Sequence, residues 1–365
     1  MKKLIAALLC MTMATTMFMG CAKEEPKTEE PEVNTDAEEE APEEEAVDAK
    51  VSVFWYDESD VYLGTVRDAL NKELDALGVE YDNQFAANTQ STQLDQIKTA
   101  ISAGSNLLVV NVVTSGAPDV AEDILAAAGD IPVIFFNRAI GTDAPEAGHM
   151  QGKMIGDYVV ANYDTIDING DGNISYAMFM GDIANVEAIY RTQYGVEDAD
   201  AVITAAGKPA LVYFDAANAD KYQVDQAGAW SAKAAKEYME TNFVTYNEDA
   251  GNMIELIICN NDGMAEGAVA ALQEKGYNVD GAHVVPVFGV DATDNAKSLI
   301  AEGAMAGTIK QDAEGMAAAI AQTVDAVAGG AAMADVFAGM TDARFSVAAD
   351  CTTKLFVAYA PYTGE

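Results

Sequence analysis

The chain has 365 residues and a formal net charge of −39, because its 59 acidic side chains far outnumber its 20 basic ones. A charge of this sign and size disfavours nucleic acids and anionic membrane surfaces as partners. The sequence has two histidines and lacks the HExxH, GxSxG and P-loop patterns, so its motifs do not indicate an enzyme.

The N-terminal stretch "MKKLIAALLCMTMATTMFMGC" predicts export. Two lysines, a short apolar run and a small residue before Cys21 are typical of a secretory signal peptide, here residues 1–20. The segment "FMGC" resembles a bacterial lipobox, which predicts that Cys21 is lipidated and holds the mature protein on the outer side of the cell membrane. Signal cleavage without a lipid is the alternative. Cys259 and Cys351 remain, too few for a disulfide framework.

Residues 21–50 form a separate acidic region after the lipid attachment site. The stretch "EEPKTEEPEVNTDAEEEAPEEEAVD" is dominated by Glu and Pro and has no apolar periodicity. Such a composition cannot bury enough apolar surface to fold. We interpret it as a solvated, disordered tether.

The remaining residues, from Val51 on, alternate short apolar runs with helical patterns. The runs are "VSVFWY", "NLLVVNVV", "IPVIFFN", "ISYAMFMG", "ALVYF", "IELIICNND", "VVPVFGVD" and "AGTIKQD". Helices are predicted near Val61–Leu77, near Pro118–Ala128, from about Val186, across Asp220–Glu240, from Met264 and over Ala313–Ala328. Continuous apolar strands separated by helices predict an α/β protein with parallel sheets.

Several of these runs end in a polar residue, among them Asn137, Asn261, Asp291 and Gln311. In open α/β sheets, ligands bind beyond the carboxyl ends of the strands. Each residue could instead cap the helix that follows. Together, these amides and carboxylates favour a site for a neutral polyhydroxylated ligand.

The segment "DINGDGNISY" follows the spacing of a calcium-binding loop up to its seventh position. The oxygen donors and the turn glycine are Asp167, Asn169, Asp171, Gly172 and the backbone carbonyl of Asn173. The twelfth position should be a bidentate Glu but is Met178. The last carboxylate must therefore come from elsewhere in the chain.

At this point the sequence resembles the periplasmic galactose/glucose-binding proteins that serve ABC importers. The motifs that carry the likeness are "IPVIFFN", "DINGDGNIS", "IELIICNNDGMAEGAVAAL" and "VPVFGVDA…GAMAGTIKQDA". The resemblance implies a monomer of two Rossmann-like lobes joined by a three-crossover hinge, with a monosaccharide in the cleft. It places the N-terminal lobe at residues 51–145 and 313–346, and the C-terminal lobe at 146–312 and 347–365.

In that family the calcium loop takes its bidentate Glu from a distant strand, and the matching residue here is Glu255. The resemblance implies a structural Ca²⁺ bound by Asp167, Asn169, Asp171, the Asn173 carbonyl, Ser175 and Glu255. Ser175 departs from the family pattern, which has a longer Gln. A simple Asx/Gly turn without metal is the alternative.

The resemblance also implies a sugar site, formed by Asp60, Tyr62, Asn137, Asn185, Glu187, Arg191, Asn261, Asp291 and Gln311. Tyr62 stands where the family stacks an aromatic ring on the sugar. Asn185, Glu187 and Gln311 replace a His, an Asp and an Asn of the family. The second stacking ring, a Trp, aligns with Ala219, so the sequence predicts that this ring is lost. A family loop and strand are also absent between Ile140 and Gly141.

Two other functions share this core. A sugar-responsive transcription regulator would carry a helix-turn-helix where this chain has its predicted signal peptide and tether. A ligand receptor for a chemoreceptor or sensor kinase, in place of an ABC permease, is the alternative that stays open, as does a different sugar.

Overall fold

The computed structural model describes residues 49–114, 117–349 and 351–364. The predicted signal peptide, Cys21 and the acidic tether lie outside the described residues. The strands are β1 (Lys50–Trp55), β2 (Glu80–Phe85), β3 (Leu107–Asn111), β4 (Val133–Phe136), β5 (Ile140–Gly141), β6 (Ser175–Met180), β7 (Val212–Tyr213), β8 (Gln223–Val224), β9 (Leu256–Cys259), β10 (Val287–Asp291), β11 (Gly307–Gln311), β12 (Phe345–Ala348), β13 (Cys351–Val357) and β14 (Tyr359–Tyr362). The α-helices are α1 (Val61–Leu77), α2 (Gln90–Ser102), α3 (Pro118–Ala128), α4 (Ala144–Ile166), α5 (Val186–Ala205), α6 (Ala232–Asn242), α7 (Asp262–Glu274), α8 (Asp294–Ala301) and α9 (Ala313–Ala328).

The strands form two sheets, one in each lobe. The first runs in the order β12-β13-β5-β4-β3-β1-β2, and the second in the order β14-β11-β10-β9-β6-β7, with β8 beside β6. Pairing is parallel except for β12 with β13 and β14 with β11. The predicted α/β fold with two parallel-sheet lobes is confirmed. Helices cover both faces of each sheet, which is why the central strands are apolar throughout.

Each lobe has its own hydrophobic core. In the first, the apolar faces of α1 and α9 pack on β1, β3 and β4. The spacing of Val66, Leu70 and Leu74 places all three on the buried face of α1. In the second, α6 and α7 pack against β9 and β10. Within the described ranges, none of the helices is both long enough and apolar enough to span a membrane.

The chain passes between the lobes three times, after β5, after β11 and between β13 and β14. The predicted assignment of residues 347–365 to the C-terminal lobe is wrong in part. Strand β13 pairs with β5 in the first sheet, with Leu355 opposite Ile140. Because Leu355 and Val357 are buried in the first core, the last crossing falls at Ala358. Only β14 belongs to the second lobe.

Two segments can be compared with the sequence-based expectation. The helix expected across residues 220–240 is shorter, because residues 223–231 form β8 and a loop before α6 begins at Ala232. The shortened segment at Ile140 and Gly141 is strand β5, which lies between β4 and β13. The missing family strand therefore leaves no gap, since the β12–β13 hairpin completes that side of the sheet.

Candidate ligand-binding cleft

A cavity lies between the two lobes, beside the crossings. Residues from both lobes line it: Tyr56, Asp60, Tyr62, Leu63, Asn137, Asn185, Glu187, Arg191, Trp230, Asn261, Asp291 and Gln311. All nine residues predicted for the sugar site are among them. The structure therefore brings together side chains that follow β1, β4, β6, β9, β10 and β11.

Some of the polar residues that line the cavity also cap helices, among them Asp60 and Asn261, whereas Asn137, Asp291 and Gln311 line the cavity without capping any of the described helices. Asp60 accepts a 2.8 Å hydrogen bond from the backbone N–H of Leu63 in α1, and its second oxygen accepts one of 2.6 Å from the Tyr56 hydroxyl. Asn261 accepts from the N–H of Met264 at the start of α7. Capping and lining were alternatives in the sequence, and these side chains do both. A cap fixes the rotamer, so the remaining oxygen or nitrogen is held in a defined direction.

Three lining residues have a positive φ without being glycine: Asn137 at 62°, Trp230 at 53° and Asp291 at 126°. Such backbone is unfavourable for L-residues, particularly for one as bulky as Trp. Strain of this kind persists where the surrounding structure enforces it, and it clusters at functional sites. Its concentration around one cavity supports a binding role.

Arg191 is a basic residue of the cavity wall, and it is buried, with 3% of its surface exposed. Its Nη1 donates to the Asn260 carbonyl at 2.9 Å. Its Nη2 donates to Gln311 Oε1 at 2.8 Å, to the Tyr359 hydroxyl at 3.0 Å and to Glu187 Oε2 at 3.3 Å. In the described part of the protein, Nε has no hydrogen-bond partner. A buried donor left unpaired is costly, so this nitrogen is the part of Arg191 whose hydrogen bonding is incomplete.

Glu187 is turned toward the crossings. Its Oε1 accepts a 2.9 Å hydrogen bond from Thr142, just after β5, and its Oε2 accepts one of 3.0 Å from Tyr359, at the start of β14. We conclude that Glu187 ties the cavity to two of the three crossings and leaves fewer lone pairs for a ligand.

Three aromatic rings line the cavity: Tyr56 after β1, Tyr62 from α1 and Trp230 from the loop before α6. The expectation that Ala219 replaces the second stacking ring is wrong. Ala219 is exposed in the turn after β7, whereas Trp230 lies eleven residues further along the chain and packs on Gly181, which has no room for a side chain. The sequence could have pointed to Trp230, because the chain has two tryptophans and the other one, Trp55, lies inside the predicted strand β1. Tyr56, which lines the cavity as well, was also missed.

The acids of the cleft are held in an environment that disfavours their ionised forms. Burial, with nearby carboxylates adding, raises the pKa of Asp291 well above its usual range, although Arg191 opposes the shift. Burial likewise raises the pKa of Asp60. Hydrogen bonds donated by the hydroxyl groups of a ligand would stabilise the ionised form of these carboxylates.

Asp262 lies directly behind Asp291. Its Oδ1 accepts a 2.6 Å hydrogen bond from the Thr308 hydroxyl, and its Oδ2 accepts one of 2.8 Å from the N–H of Thr293. It therefore braces the backbone turn that follows Asp291. The pKa of Asp262 is raised to about 7, mainly because the carboxyl group is buried.

We expect this buried acid to make the ligand-free protein less stable as the pH rises. Unfolding lowers the pKa of Asp262 to about 3.9, so between about pH 4 and pH 7 the folded state binds more protons. The free energy of unfolding should then fall, by up to about 1.4 kcal/mol per pH unit from this group. Urea unfolding of wild type and Asp262→Asn at pH 5 and pH 7 measures it. Equal pH dependence in the two proteins would contradict the assignment.

The calcium-like loop has the predicted turn, with positive φ at Gly170 and Gly172. Glu255 reaches the loop from the strand side, and its two oxygens accept hydrogen bonds from the backbone N–H groups of Asn169 and Ser175, each 2.8 Å. Burial, chiefly, raises the pKa of Glu255, with the charge of Asp167 adding to the shift. A cation bound here would offset the negative charge of the buried carboxylate and of the acid beside it.

Two of the predicted Ca²⁺ ligands, Asn169 and Ser175, form hydrogen bonds to other parts of the protein. The Asn169 carboxamide pairs with the backbone of Met253 in both directions, and the Ser175 hydroxyl donates to the Met253 carbonyl at 2.6 Å. The donors that suit Ca²⁺ are thus Asp167, Asp171 and Glu255, although within the described ranges their carboxylates are not already gathered into a metal cluster.

The periplasmic binding protein domain model matches residues 51–332. A D-galactose/methyl-galactoside binding periplasmic protein of Haemophilus influenzae is 30% identical over 306 residues, covering 78% of this chain and 83% of that protein. The chain belongs to the periplasmic binding protein family. Members of this family bind solutes outside the cytoplasm and are not enzymes, and its sugar-binding branch of type I serves ABC transporters.

Solved periplasmic binding proteins have the same fold. An ABC transporter solute binding protein from Clostridium phytofermentans, with bound β-D-glucose, superposes with a TM-score of 0.65 at 21% identity, over 86% of this chain and 94% of that one. One from Bacillus halodurans, with bound myo-inositol, gives 0.63 at 21% identity, over 87% and 96%. At these identities the comparison supports the fold alone.

Proposed function

We propose that this periplasmic binding protein captures a monosaccharide of the galactose/glucose type between its lobes and delivers it to an ABC importer. The observation that carries the proposal is the composition of the cavity wall. Tyr62 and Trp230 supply apolar ring faces, while Asp60, Asp291 and Arg191 supply hydrogen-bonding groups. Sugars present an apolar face of C–H groups and a rim of hydroxyls, so rings and buried polar groups suit them together.

The similar proteins support this ligand class. The relative from Haemophilus influenzae is named for D-galactose and methyl-galactoside, and the two solved structures contain glucose and inositol. All are neutral and polyhydroxylated. Among these, the two rings and the match to the galactose-binding relative favour an aldohexose.

A thermal-shift screen of the full chain tests the proposal. D-galactose, D-glucose, myo-inositol and L-arabinose should be compared at equal concentrations, with an amino acid mixture as the control for non-sugar ligands. A ligand at 100 times its Kd stabilises the folded state by about 2.7 kcal/mol, which gives a clear rise in Tm. A rise with an amino acid but with none of the sugars would overturn the proposal.

We also propose a structural Ca²⁺ at the loop closed by Glu255. Ca²⁺ should raise the Tm of the wild type and EDTA should lower it, because the cation neutralises a buried carboxylate. Glu255→Gln should lose the response to Ca²⁺, while the exposed-acid control Asp220→Asn keeps it. Unchanged melting of the wild type in EDTA would count against the site. The readout is folding stability, so it does not depend on the sugar.

Finally, we propose that Cys21 carries the lipid that anchors the protein at the extracytoplasmic face of the membrane. A bacterial lipoprotein cysteine holds more than one acyl chain, enough for stable attachment. Cys21→Ala should therefore move the protein from the membrane fraction to the soluble extracytoplasmic fraction. Membrane association that survives this substitution, after a high-salt wash, would refute the anchor.

A further inference from the structure

The loop formed by residues 225–231, between β8 and α6, contacts both the cavity and the opposite lobe. At one end, the ring of Trp230 lines the cavity. Two to three residues earlier, the backbone carbonyls of Ala227 and Gly228 face the first lobe. Asn88, in the turn after β2 of that lobe, donates from Nδ2 to the Ala227 carbonyl at 2.8 Å, with the Gly228 carbonyl at 3.5 Å.

This contact lies far from the crossings. In the first sheet, β2 is at the edge opposite β12, and β1, β3 and β4 separate it from β5, which precedes the first crossing. Four steps of about 4.8 Å between neighbouring strands put the Asn88 turn about 19 Å from the hinge side. In the second sheet, β8 pairs with β6, on the side away from β11 and β14. Because this hydrogen bond lies far from the hinge, a small rotation of one lobe relative to the other moves its two partners a long way apart.

Both partners of the contact are held in place before they meet. Asn88 has a φ of 55°, and its backbone N–H donates to the carbonyl of Tyr56, a cavity residue, at 2.7 Å. In the loop, the buried Asp225 carboxylate accepts from the N–H of Ala227 at 2.9 Å and from the N–H of Ser231 at 3.0 Å. Groups fixed in this way lose little entropy when the bond forms.

We infer that Asn88 is a positioning residue for ligand retention: its bond to the carbonyls of loop 225–231 stabilises the closed form and slows release of the ligand held between Tyr62 and Trp230. The inference rests on the proposed function. The bond exists only when the lobes are together, so it favours the closed form without touching the ligand. Its loss lowers the closed fraction, and the observed affinity falls by the same factor.

Two substitutions separate the side chain from the backbone. Asn88→Asp keeps the size and the tolerance for positive φ, but replaces the donor with a carboxylate facing two carbonyls. Asn88→Gly removes the side chain without straining the turn. Thr89→Ala is the matched control, because the Thr89 hydroxyl donates to Ala87 within its own turn.

Stopped-flow binding of D-galactose to the full chain should show dissociation about 3- to 10-fold faster for Asn88→Gly, and at least as fast for Asn88→Asp. The association rate, the behaviour of Thr89→Ala and the Tm of the ligand-free variants should stay at wild-type values. Dissociation within twofold of wild type for both Asn88 variants overturns the inference. A fall in the ligand-free Tm equal to that of the liganded protein also overturns it, since the role would then be structural.

The two proposals fail differently. If the wild type binds D-galactose while the Asn88 variants release it at the wild-type rate, only the role of Asn88 fails. If D-galactose does not bind, D-glucose and myo-inositol replace it as probes; if none binds, the proposed function fails. Small-angle scattering of the ligand-free proteins then tests Asn88 alone. A larger radius of gyration for Asn88→Asp supports the inference, and equal radii overturn it.

Discussion

Asp291→Asn should abolish sugar binding, with affinity reduced by about 30- to 1,000-fold, while the ligand-free protein keeps or gains stability. The carboxylate is the strongest acceptor that the second lobe offers to ligand hydroxyls, and its loss leaves donors unpaired in a dry cleft, at about 2–4 kcal/mol. The gain in stability has a separate cause. Ionised Asp291 is buried, and Asp262, Asp60 and Glu187 repel it. A neutral amide removes the cost of burying the charge together with this repulsion, and these outweigh the lost attraction of Arg191.

Calorimetry and urea unfolding together test this prediction. Asn tolerates a positive φ about as well as Asp, so the backbone at Asp291 is not expected to change. Loss of affinity accompanied by a lower free energy of unfolding would mean that Asp291 is a structural residue. Asp60→Asn tests the equivalent position of the first lobe, where the carboxylate also caps α1, and should cost both affinity and stability.

Trp230→Leu should weaken binding by about 5- to 150-fold, because the sugar loses one of its two ring contacts, worth about 1–3 kcal/mol. Trp230→Phe should recover part of the loss. Leu and Phe fill much of the space over Gly181, so the fold is expected to survive. The affinities can be measured by titration calorimetry with the sugar identified in the thermal-shift screen.

Ala219→Trp is the control for Trp230, and it should leave affinity unchanged. Ala219 is exposed in the turn after β7 and does not line the cavity. A sugar bound more tightly by Ala219→Trp would show that position 219 faces the ligand, and one bound equally well by Trp230→Leu would show that Trp230 does not contact it.

Local patterns in the sequence were enough for the α/β class with parallel sheets, and the family resemblance supplied the two lobes. The apolar runs fell on the sheet strands, and the limits of α1, α3 and α9 were predicted to the residue. The nine polar and aromatic residues expected at the cleft do line one cavity. Those at the strand ends, such as Asn261 and Asp291, were predictable from the pattern, because parallel strands all present their carboxyl ends on one side. The others were implied by the resemblance to the galactose/glucose-binding proteins.

The errors came from positions that depend on long-range pairing. Trp230 was missed because alignment by spacing fails in a loop of different length, while the ring is placed by Gly181 and by the turn of its own backbone. The end of the first lobe was misplaced because the apolar spacing of β13 suits either sheet, and only pairing with β5 decides between them. The hydrogen-bond partners of Asn169 and Ser175 were also out of reach of local patterns, because Met253 lies in the segment before β9.

The late third crossing, at Ala358, has a consequence for how the protein is made. Helix α9 and strand β13 complete the first core, yet they are contributed by residues 313–357, after strands β6 to β11 of the second lobe. The N-terminal lobe cannot close its core until these residues, too, have left the ribosome, since a domain folds as a unit. This ordering keeps the chain open during synthesis, which suits a protein that a predicted signal peptide directs through a translocation pore.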